Sequence, residues 1–220
     1  MSLKKLVFAA GLGLVLGSPA PAAEPPPLSV QVIVDQSALL QKPAEASKFQ
    51  KRLLHHLTEL RKRRGTENAE IRIVSVNDPR NLWVGSPRDL FHGRALLPLL
   101  DVVDNGCADL AGAFEQVRTN LRLRPGAEVR VYVFSSLIHT GAPCDRSEIN
   151  LPQPPPAGLD LTFLAETARA LKFYWVHPLQ EEPWTDFLEK QGFLERQRRG
   201  QLAFALHDEA STAKYLNEGL

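Results

Sequence analysis

From residue 28 onward, apolar and polar positions follow two alternating patterns, one typical of buried strands and one of amphipathic helices. Short runs rich in β-branched and aromatic residues predict strands, and longer stretches with apolar side chains three or four positions apart predict helices. The predicted strands are 28–34, 70–76, 129–134, 171–176 and 202–206, with a short edge strand at 82–84. The predicted helices are 43–65, 109–121, 160–170, 183–191 and 209–216, with a further helix start at Ser86-Pro87. Strands that alternate with helices indicate an α/β fold with a doubly wound, mostly parallel sheet that carries helices on both faces.

Prolines divide the chain, because the proline ring suits the first turn of a helix but interrupts its interior. Of the 17 prolines, Pro43, Pro87 and Pro183 are therefore predicted to begin helices. The proline cluster at 152–156 predicts a loop between the strand at 129–134 and the helix that follows.

The first 22 residues have the three-part layout of a secretory signal peptide. Two lysines precede an uncharged apolar stretch at 6–17, which is followed by the small-residue sequence at 20–22. A transmembrane helix needs about 20 apolar residues, so this shorter stretch predicts a cleaved signal rather than an anchor. We expect a proline-rich lead at 23–27 and a single domain at 28–220. The mature protein is expected to be periplasmic or secreted by a bacterium, with no transmembrane segment after cleavage.

Composition narrows the classes of function. Hydrophobic residues make up 44% of the chain and charged residues 23%, which suits a globular domain and excludes a disordered tail. The 26 basic and 25 acidic side chains nearly cancel, so no overall positive field indicates a nucleic-acid partner. The basic runs at 61–64 and 196–199 are interpreted as solvated ends of helices.

Cys107 and Cys144 are the only cysteines of the chain. In an oxidising compartment such a pair is a disulfide candidate, and the alternative is a pair of buried free thiols. The wide spacing lacks the CxxC signature of a zinc site. The residues alone leave the disulfide and the free thiols as open alternatives.

Polar side chains follow three of the predicted strands, at Asp35-Gln36-Ser37, Asp78 and Ser135-Ser136. In an open parallel sheet, ligands bind at the carboxyl ends of the strands, where the strand order reverses. These residues are therefore the first candidates for a functional site.

From residue 28 to residue 191 the sequence resembles the von Willebrand factor A-type (vWA) family. The likeness is carried by the DxS sequence of Asp35 and Ser37, by ADLAGAF at 108–114 after an Asn-Gly turn, and by VYVFSSLIHTG at 131–141. The resemblance implies a doubly wound sheet and a metal-ion-dependent adhesion site, in which hard oxygen ligands hold Mg²⁺.

The sequence departs at three positions from the family's metal motif, which is DxSxS followed later by a threonine and an aspartate. Leu39 stands at the second serine, Ala108 at the threonine, and Ser136 (or Thr140 on a different register) at the aspartate. The resemblance therefore implies a degenerate site in which the DxS pair alone remains to bind Mg²⁺. The alternative is that this pair forms hydrogen bonds with the loop after Phe134.

The family topology also implies that Cys107 and Cys144 lie at the same edge of the sheet as Asp35. A disulfide between them would close a long loop and stabilise the fold by on the order of 4 kcal/mol. The resemblance thus favours the bridged form of the two cysteines.

Two classes of enzyme compete with this interpretation. The segment at 32–40 resembles the first strand of PIN-type nucleases, but the acidic residues that follow it give no match to a nuclease pattern. A serine hydrolase could use Ser136 with His139 or His177, although the G-x-S-x-G elbow is missing.

The sequence thus predicts an exported vWA-like module that binds or assembles with another protein of the bacterial envelope. The candidate contacts are Ser135, Ser136 and the loop at 141–157, at the carboxyl edge of the sheet. No cofactor is expected unless Mg²⁺ binds at Asp35 and Ser37, and no nucleic-acid partner is expected. The alternative function is a metal-dependent or Ser/His hydrolase that uses the same edge.

Overall fold

The computed structural model describes residues 26–92, 107–140, 144 and 149–218. The predicted signal peptide at 1–22 lies outside these described residues. Within them, no helix is both long and apolar enough to cross a membrane.

The centre of the fold is a single sheet of six strands. The strands are β1 (Leu28–Val34), β2 (Glu70–Ser75), β3 (Asn81–Gly85), β4 (Glu128–Phe134), β5 (Ala168–Tyr174) and β6 (Ala203–Leu206). Their order is β3-β2-β1-β4-β5-β6. Neighbouring strands are parallel except β3, which pairs antiparallel with β2 at the edge of the sheet. The predicted α/β fold with a mostly parallel sheet is confirmed, and so is the short edge strand.

Helices cover both faces of this sheet. The helices are α1 (Pro43–Thr58), α2 (Pro87–His92), α3 (Leu110–Arg122), α4 (Thr162–Thr167), α5 (Pro178–Lys190), α6 (Phe193–Arg198) and α7 (Glu209–Glu218), and a 3-10 turn (Glu59–Lys62) follows α1. One apolar core packs α1 and α7 against one face of the sheet, and a second core packs α3, α4, α5 and α6 against the other. All seven residues of β1 are buried, as expected for a central strand with helices on both sides.

Side chains at the starts of α2 and α3 cap these helices. Ser86 and Asp89 form a reciprocal pair: the Asp89 N–H donates to Ser86 Oγ at 3.2 Å, and the Ser86 N–H donates to Asp89 Oδ2 at 2.9 Å. Asp109 Oδ1 accepts a hydrogen bond from the Gly112 N–H at 2.8 Å. The Asp109 N–H donates to the Val76 carbonyl at 2.9 Å, so the start of α3 is fixed next to the carboxyl end of β2.

Several predicted element boundaries differ from the structure, and two of the differences have a clear physical cause. Residues 168–170 are predicted to be helical but form the start of β5, because pairing with β4 and β6 outweighs the helix propensity of the alanines. Pro183 is predicted to begin a helix but lies inside α5, which starts at Pro178 after the N-cap residue His177.

A buried glutamine in β1, Gln31, joins three elements of the fold. Gln31 Oε1 accepts from Asn120 Nδ2 at 2.9 Å, and Gln31 Nε2 donates to Ser29 Oγ at 3.0 Å. Asn120, on α3, also exchanges two hydrogen bonds with Asn81 on β3, at 3.0 and 2.8 Å. Since a buried amide requires these partners, the network holds α3 in one position across β1 and β3.

Candidate functional site

The strand order reverses beside β1, because the chain runs outward through β2 and β3 and then returns to β4, β5 and β6. In open α/β sheets the crevice at such a switch point is the usual position of a ligand. Asp35 directly follows β1, and Ser135 directly follows β4. The Asp35 N–H donates to the Phe134 carbonyl at 2.9 Å, so the two strand ends stay paired up to the candidate site.

Both carboxylate oxygens of Asp35 accept hydrogen bonds from the protein itself. Oδ1 accepts from the Ser37 N–H at 2.8 Å, and Oδ2 accepts from the Ser135 hydroxyl at 2.8 Å. Ser135 Oγ in turn accepts from the Leu137 N–H at 3.1 Å. The carboxylate of Asp35 therefore connects the turn after β1 to the turn after β4.

Asp35, Ser37 and Ser135 are completely buried. Burial raises the pKa of the Asp35 carboxyl group above its ordinary value, because the charged form loses its hydration. Hydrogen bonds from Ser37, Ser135 and Ser136 oppose this rise, because they favour the carboxylate over the neutral acid. Ionisation of Asp35 thus costs folding free energy despite four favourable contacts from these three serines.

This arrangement does not fit a divalent metal ion. Mg²⁺ requires nearly octahedral oxygen coordination and keeps several water molecules. Asp35 has both oxygens engaged by donors and has no surface exposed to water. Among the residues that the structure describes, no three Asp, Glu, His or Cys side chains are grouped as metal ligands. The geometry of Asp35 and Ser37 therefore supports the hydrogen-bonding alternative rather than the metal site.

The two residues that could stand at the family's aspartate occupy different places. Ser136 Oγ accepts from the Ile138 N–H at 3.3 Å, within the turn that follows β4. The Thr140 N–H donates to the Ala108 carbonyl at 2.9 Å, and Thr140 Oγ1 accepts from the Ala108 N–H at 2.9 Å. Neither residue brings a second carboxylate to Asp35, and Thr140 instead fastens the segment before α3 to the loop after β4.

Ser135 and Ser136 are both buried, so neither can itself lie in a contact surface for a partner. Their hydroxyls accept from the backbone N–H groups of Leu137 and Ile138. Leu137 has a left-handed φ of 61°, a conformation that costs about 1–3 kcal/mol for a residue other than glycine. Gln180 Nε2 adds a hydrogen bond to the Leu137 carbonyl at 2.9 Å. The two serines thus stabilise a strained turn. The candidate contact surface therefore consists of exposed residues around this turn and not of the serines themselves.

Gln153 fastens the proline-rich loop to this turn. Its Oε1 accepts from the His139 N–H at 3.0 Å, and its Nε2 donates to the His139 carbonyl at 3.2 Å. The Gln153 N–H donates to Gln180 Oε1 at 2.7 Å. We call this set of contacts among Gln153, His139 and Gln180 the glutamine clamp. Neither glutamine belongs to a sequence motif, and the position of Gln153 within the 152–156 proline cluster is the only sequence signal of its role.

The Sγ atoms of Cys107 and Cys144 lie 2.09 Å apart, at the distance of a disulfide bond. The bridge lies at the carboxyl edge of the sheet. Asn77 connects it to the end of β1, because Asn77 Nδ2 donates to the Cys107 carbonyl at 2.7 Å and Asn77 Oδ1 accepts from the Gln36 N–H at 2.8 Å. The neighbouring Asp78, a candidate from the strand-end pattern, is exposed. Of the predicted loop at 141–157, residues 141–143 and 145–148 lie outside the described part of the chain.

The residues of the hydrolase alternative do not form a catalytic group. Within the described residues, the Ser136 hydroxyl has no hydrogen bond to His139 or His177. His177 Nδ1 accepts from the Leu179 N–H at 3.1 Å and thereby caps α5. His139 is half-buried, and this burial lowers its pKa. A serine nucleophile needs a base within hydrogen-bond reach, and this geometry does not supply one.

The raised pKa of Asp35 predicts a specific pH dependence of stability. Between the pKa of an unfolded aspartate, about 4, and the higher folded value, the folded state holds a proton that the unfolded state has released. The free energy of unfolding of the wild type should therefore fall as the pH rises through this window, relative to that of Asp35→Asn. Urea unfolding of both proteins at several pH values measures this difference, in which the other carboxyl groups cancel. A difference that does not change with pH would contradict the raised pKa.

Removal of the disulfide should destabilise the domain. We expect the double variant Cys107→Ala/Cys144→Ala to lose about 2–4 kcal/mol of unfolding free energy, because the unfolded chain regains the freedom of a long loop. A reductant should lower the stability of the wild type to that of the variant and leave the variant unchanged. Two alkylatable thiols in the folded, unreduced wild type would show that the bridge is absent.

Comparison with solved structures finds similarity in fold at low sequence identity. The chain matches the pilus adhesin SpaC from Lactobacillus rhamnosus GG with a TM-score of 0.55 and 11% identity, over 88% of this chain and 29% of that chain. A weaker match is the human COPII-coat protein Sec24c, with a TM-score of 0.49 and 11% identity over 88% of this chain and 32% of that chain. Another is the structure of three N-terminal domains of the type V pili tip protein Mfa5 from Porphyromonas gingivalis, with a TM-score of 0.43 and 18% identity over 52% of this chain and 20% of that chain. This chain thus spans a third or less of the length of each of these structures. No protein-family model and no curated protein matches it. The match to SpaC supports the α/β fold.

Proposed function

We propose that this chain is an exported, vWA-like module that binds another protein of the bacterial envelope through the carboxyl edge of its sheet. The observation that carries the proposal is that the described parts of one loop at the switch point, residues 144 and 149–157, are fastened by independent contacts, while among the described residues no nucleophile and base meet there. These contacts are the Cys107–Cys144 bridge and the glutamine clamp. A surface held in one shape in advance loses less entropy on binding a partner, which suits adhesion or assembly.

Two further observations support an exported protein. A disulfide persists in oxidising compartments and is rare in the cytosol, so the Cys107–Cys144 pair suits the compartment that the N-terminal signal pattern predicts. The matched structure of SpaC is that of a pilus adhesin, so a chain with the same fold has a precedent for adhesion outside the cell. We therefore propose adhesion to, or assembly with, an envelope protein rather than turnover of a substrate.

The contact surface is proposed to be the rim, which we define as the exposed residues Ala38, Pro152, Pro154 and Leu179. They lie on the segments that follow β1 and β4 and at the start of α5. Leu179 is 53% exposed although it directly precedes the buried Gln180 of the glutamine clamp. An exposed apolar side chain beside a fixed residue such as Gln180 is the kind of residue that carries binding energy.

A pair of leucine variants tests the rim. Leu123 is 64% exposed and directly follows α3, which starts at the carboxyl edge and runs to the opposite edge of the sheet, so Leu123→Asp is a matched control. Photo-cross-linking from position 179 in the envelope fraction, followed by mass spectrometry, identifies the partner. Leu179→Asp should then weaken binding of the purified partner about tenfold or more, whereas Leu123→Asp should leave it within about twofold of the wild type.

Two results would overturn the proposal. Identical cross-linked products from positions 179 and 123 would show that the rim has no specific partner. Hydrolysis of ester or phosphate substrates by the purified protein, lost in Ser136→Ala, would favour the enzyme alternative.

A further inference from the structure

A cationic cleft opens on the α1 face of the sheet, away from the rim. It has a volume of about 310 Å³. Its floor is formed by β4, β5 and β6, and one wall by the end of α1 and the residues after it. The lining residues are His56, Leu57, Leu60, Arg63, Glu128, Arg130, Tyr132, Arg169, Ala170, Lys172 and Ala203.

The charged side chains of the cleft are mostly positive. Four cationic side chains line it together with one carboxylate, that of Glu128. Glu128 pairs with Arg130 at 2.6 Å. Arg63, Arg169 and Lys172 form no ion pair with any residue that the structure describes. The whole chain is almost neutral, with a formal charge of +1, so this concentration of positive charge is local.

A β-bulge adds one of these cations to the cleft. Val129 of β4 pairs with Ala168 of β5, but the next residue, Arg130, pairs with Ala170, so Arg169 is the extra residue of the bulge. Strict alternation along β5 would send Arg169 to the other face of the sheet, where Leu171 is buried. Bulges commonly redirect a side chain beside a functional site. Here the bulge lets Arg169 line the cleft on the α1 face.

Lys172 provides a cation at the floor of the cleft. It is paired with Tyr132 across the strands and is half-buried. Burial, followed by repulsion from Arg130, lowers the pKa of its ammonium group, because both effects disfavour the charged form. Ala170 and Ala203, which pair with each other across β5 and β6, are small side chains that also line the cleft. A purely structural residue at this position would gain stability by losing its charge.

We propose that this cleft binds the phosphate group of a small organic ligand. The guanidinium groups of Arg63 and Arg169 present paired N–H donors that match the oxygens of a phosphate, and the ammonium group of Lys172 supplies a point charge at the floor. Leu57 and Leu60 give an apolar wall for the organic part of the ligand. The volume lies at the lower end of the range of ligand pockets, which indicates a ligand of about the size of a phosphorylated sugar. This site is separate from the rim and does not depend on the proposed adhesion.

Inorganic pyrophosphate is the probe, measured by isothermal titration calorimetry at constant ionic strength on the full mature chain. The variants Lys172→Gln and Arg169→Gln each remove one cation of the cleft. Arg122→Gln is the matched control, because Arg122 is exposed on α3 against the opposite face of the sheet. Each cleft variant should weaken pyrophosphate binding about tenfold or more, whereas the control should bind within about twofold of the wild type.

Two further measurements, of thermal stability and of lipid binding, test whether unfolding or attraction to a membrane explains the result. Lys172→Gln should unfold at a temperature equal to or above that of the wild type, since it removes a half-buried charge beside Arg130, so its loss of binding cannot come from unfolding. Vesicles with and without phosphatidylglycerol test a membrane headgroup as the source of the phosphate. Equal pyrophosphate affinity in the cleft variants and the control would overturn the proposal. Binding to anionic vesicles without binding of pyrophosphate would also overturn it, because it would indicate a basic surface rather than a phosphate pocket.

Discussion

A buried carboxylate between two parallel strand ends is the constraint on which the carboxyl edge of this fold depends. Asp35 has no contact with water, and its two oxygens are satisfied by the Ser37 N–H and the Ser135 hydroxyl. Burial of a carboxylate costs several kcal/mol unless hydrogen bonds compensate it. The turns after β1 and β4 must therefore keep their positions together, because moving either one would leave one oxygen of a buried carboxylate without its donor.

The other features of the edge build on this junction. Ser135 accepts from the Leu137 N–H while it donates to Asp35, so the carboxylate also holds the strained turn. That turn offers the Leu137 carbonyl to Gln180, which in turn binds Gln153 in the proline-rich loop. The edge is thus a series of connected polar contacts that ends at Gln153, in the described part of the surface loop. Among the described residues, such a series gives a rigid surface without assembling a reactive group, which is why binding rather than catalysis is the proposed function.

Local patterns predict the parts of this structure that local forces decide. The limits of β1, Leu28–Val34, follow from seven residues that suit a buried central strand, and the cap at Ser86 follows from its hydrogen-bonding side chain. Ala168–Ala170 could not be placed in this way, because alanine favours helices and only pairing with β4 and β6 makes the segment a strand. Pro183 is misplaced for a different, local reason, since the N-cap His177 and the first-turn proline Pro178 already start α5.

The residues of the candidate site and of the cleft also fall into those that the sequence predicts and those that it does not. Asp35 and Ser135 stand at strand ends, and parallel pairing brings such residues together, so the sequence already indicates this edge. Asn77 and Gln153 act across long sequence separations, and single amide side chains in loops carry no recognisable pattern. The bulge that directs the Arg169 side chain to the cationic cleft depends on strand register, which the local sequence does not encode.

A metal titration distinguishes most directly between a closed hydrogen-bonded junction and a metal site at Asp35. Thermal unfolding of the wild type and of Asp35→Asn is measured with and without millimolar magnesium or manganese, at constant ionic strength. The closed junction predicts the same melting temperature with and without metal in both proteins, because the Asp35 carboxylate is completely buried and both of its oxygens already accept hydrogen bonds from the protein. A saturable rise in the melting temperature of the wild type that is absent in Asp35→Asn would contradict this account, since it would show a metal bound to the native state through that carboxylate.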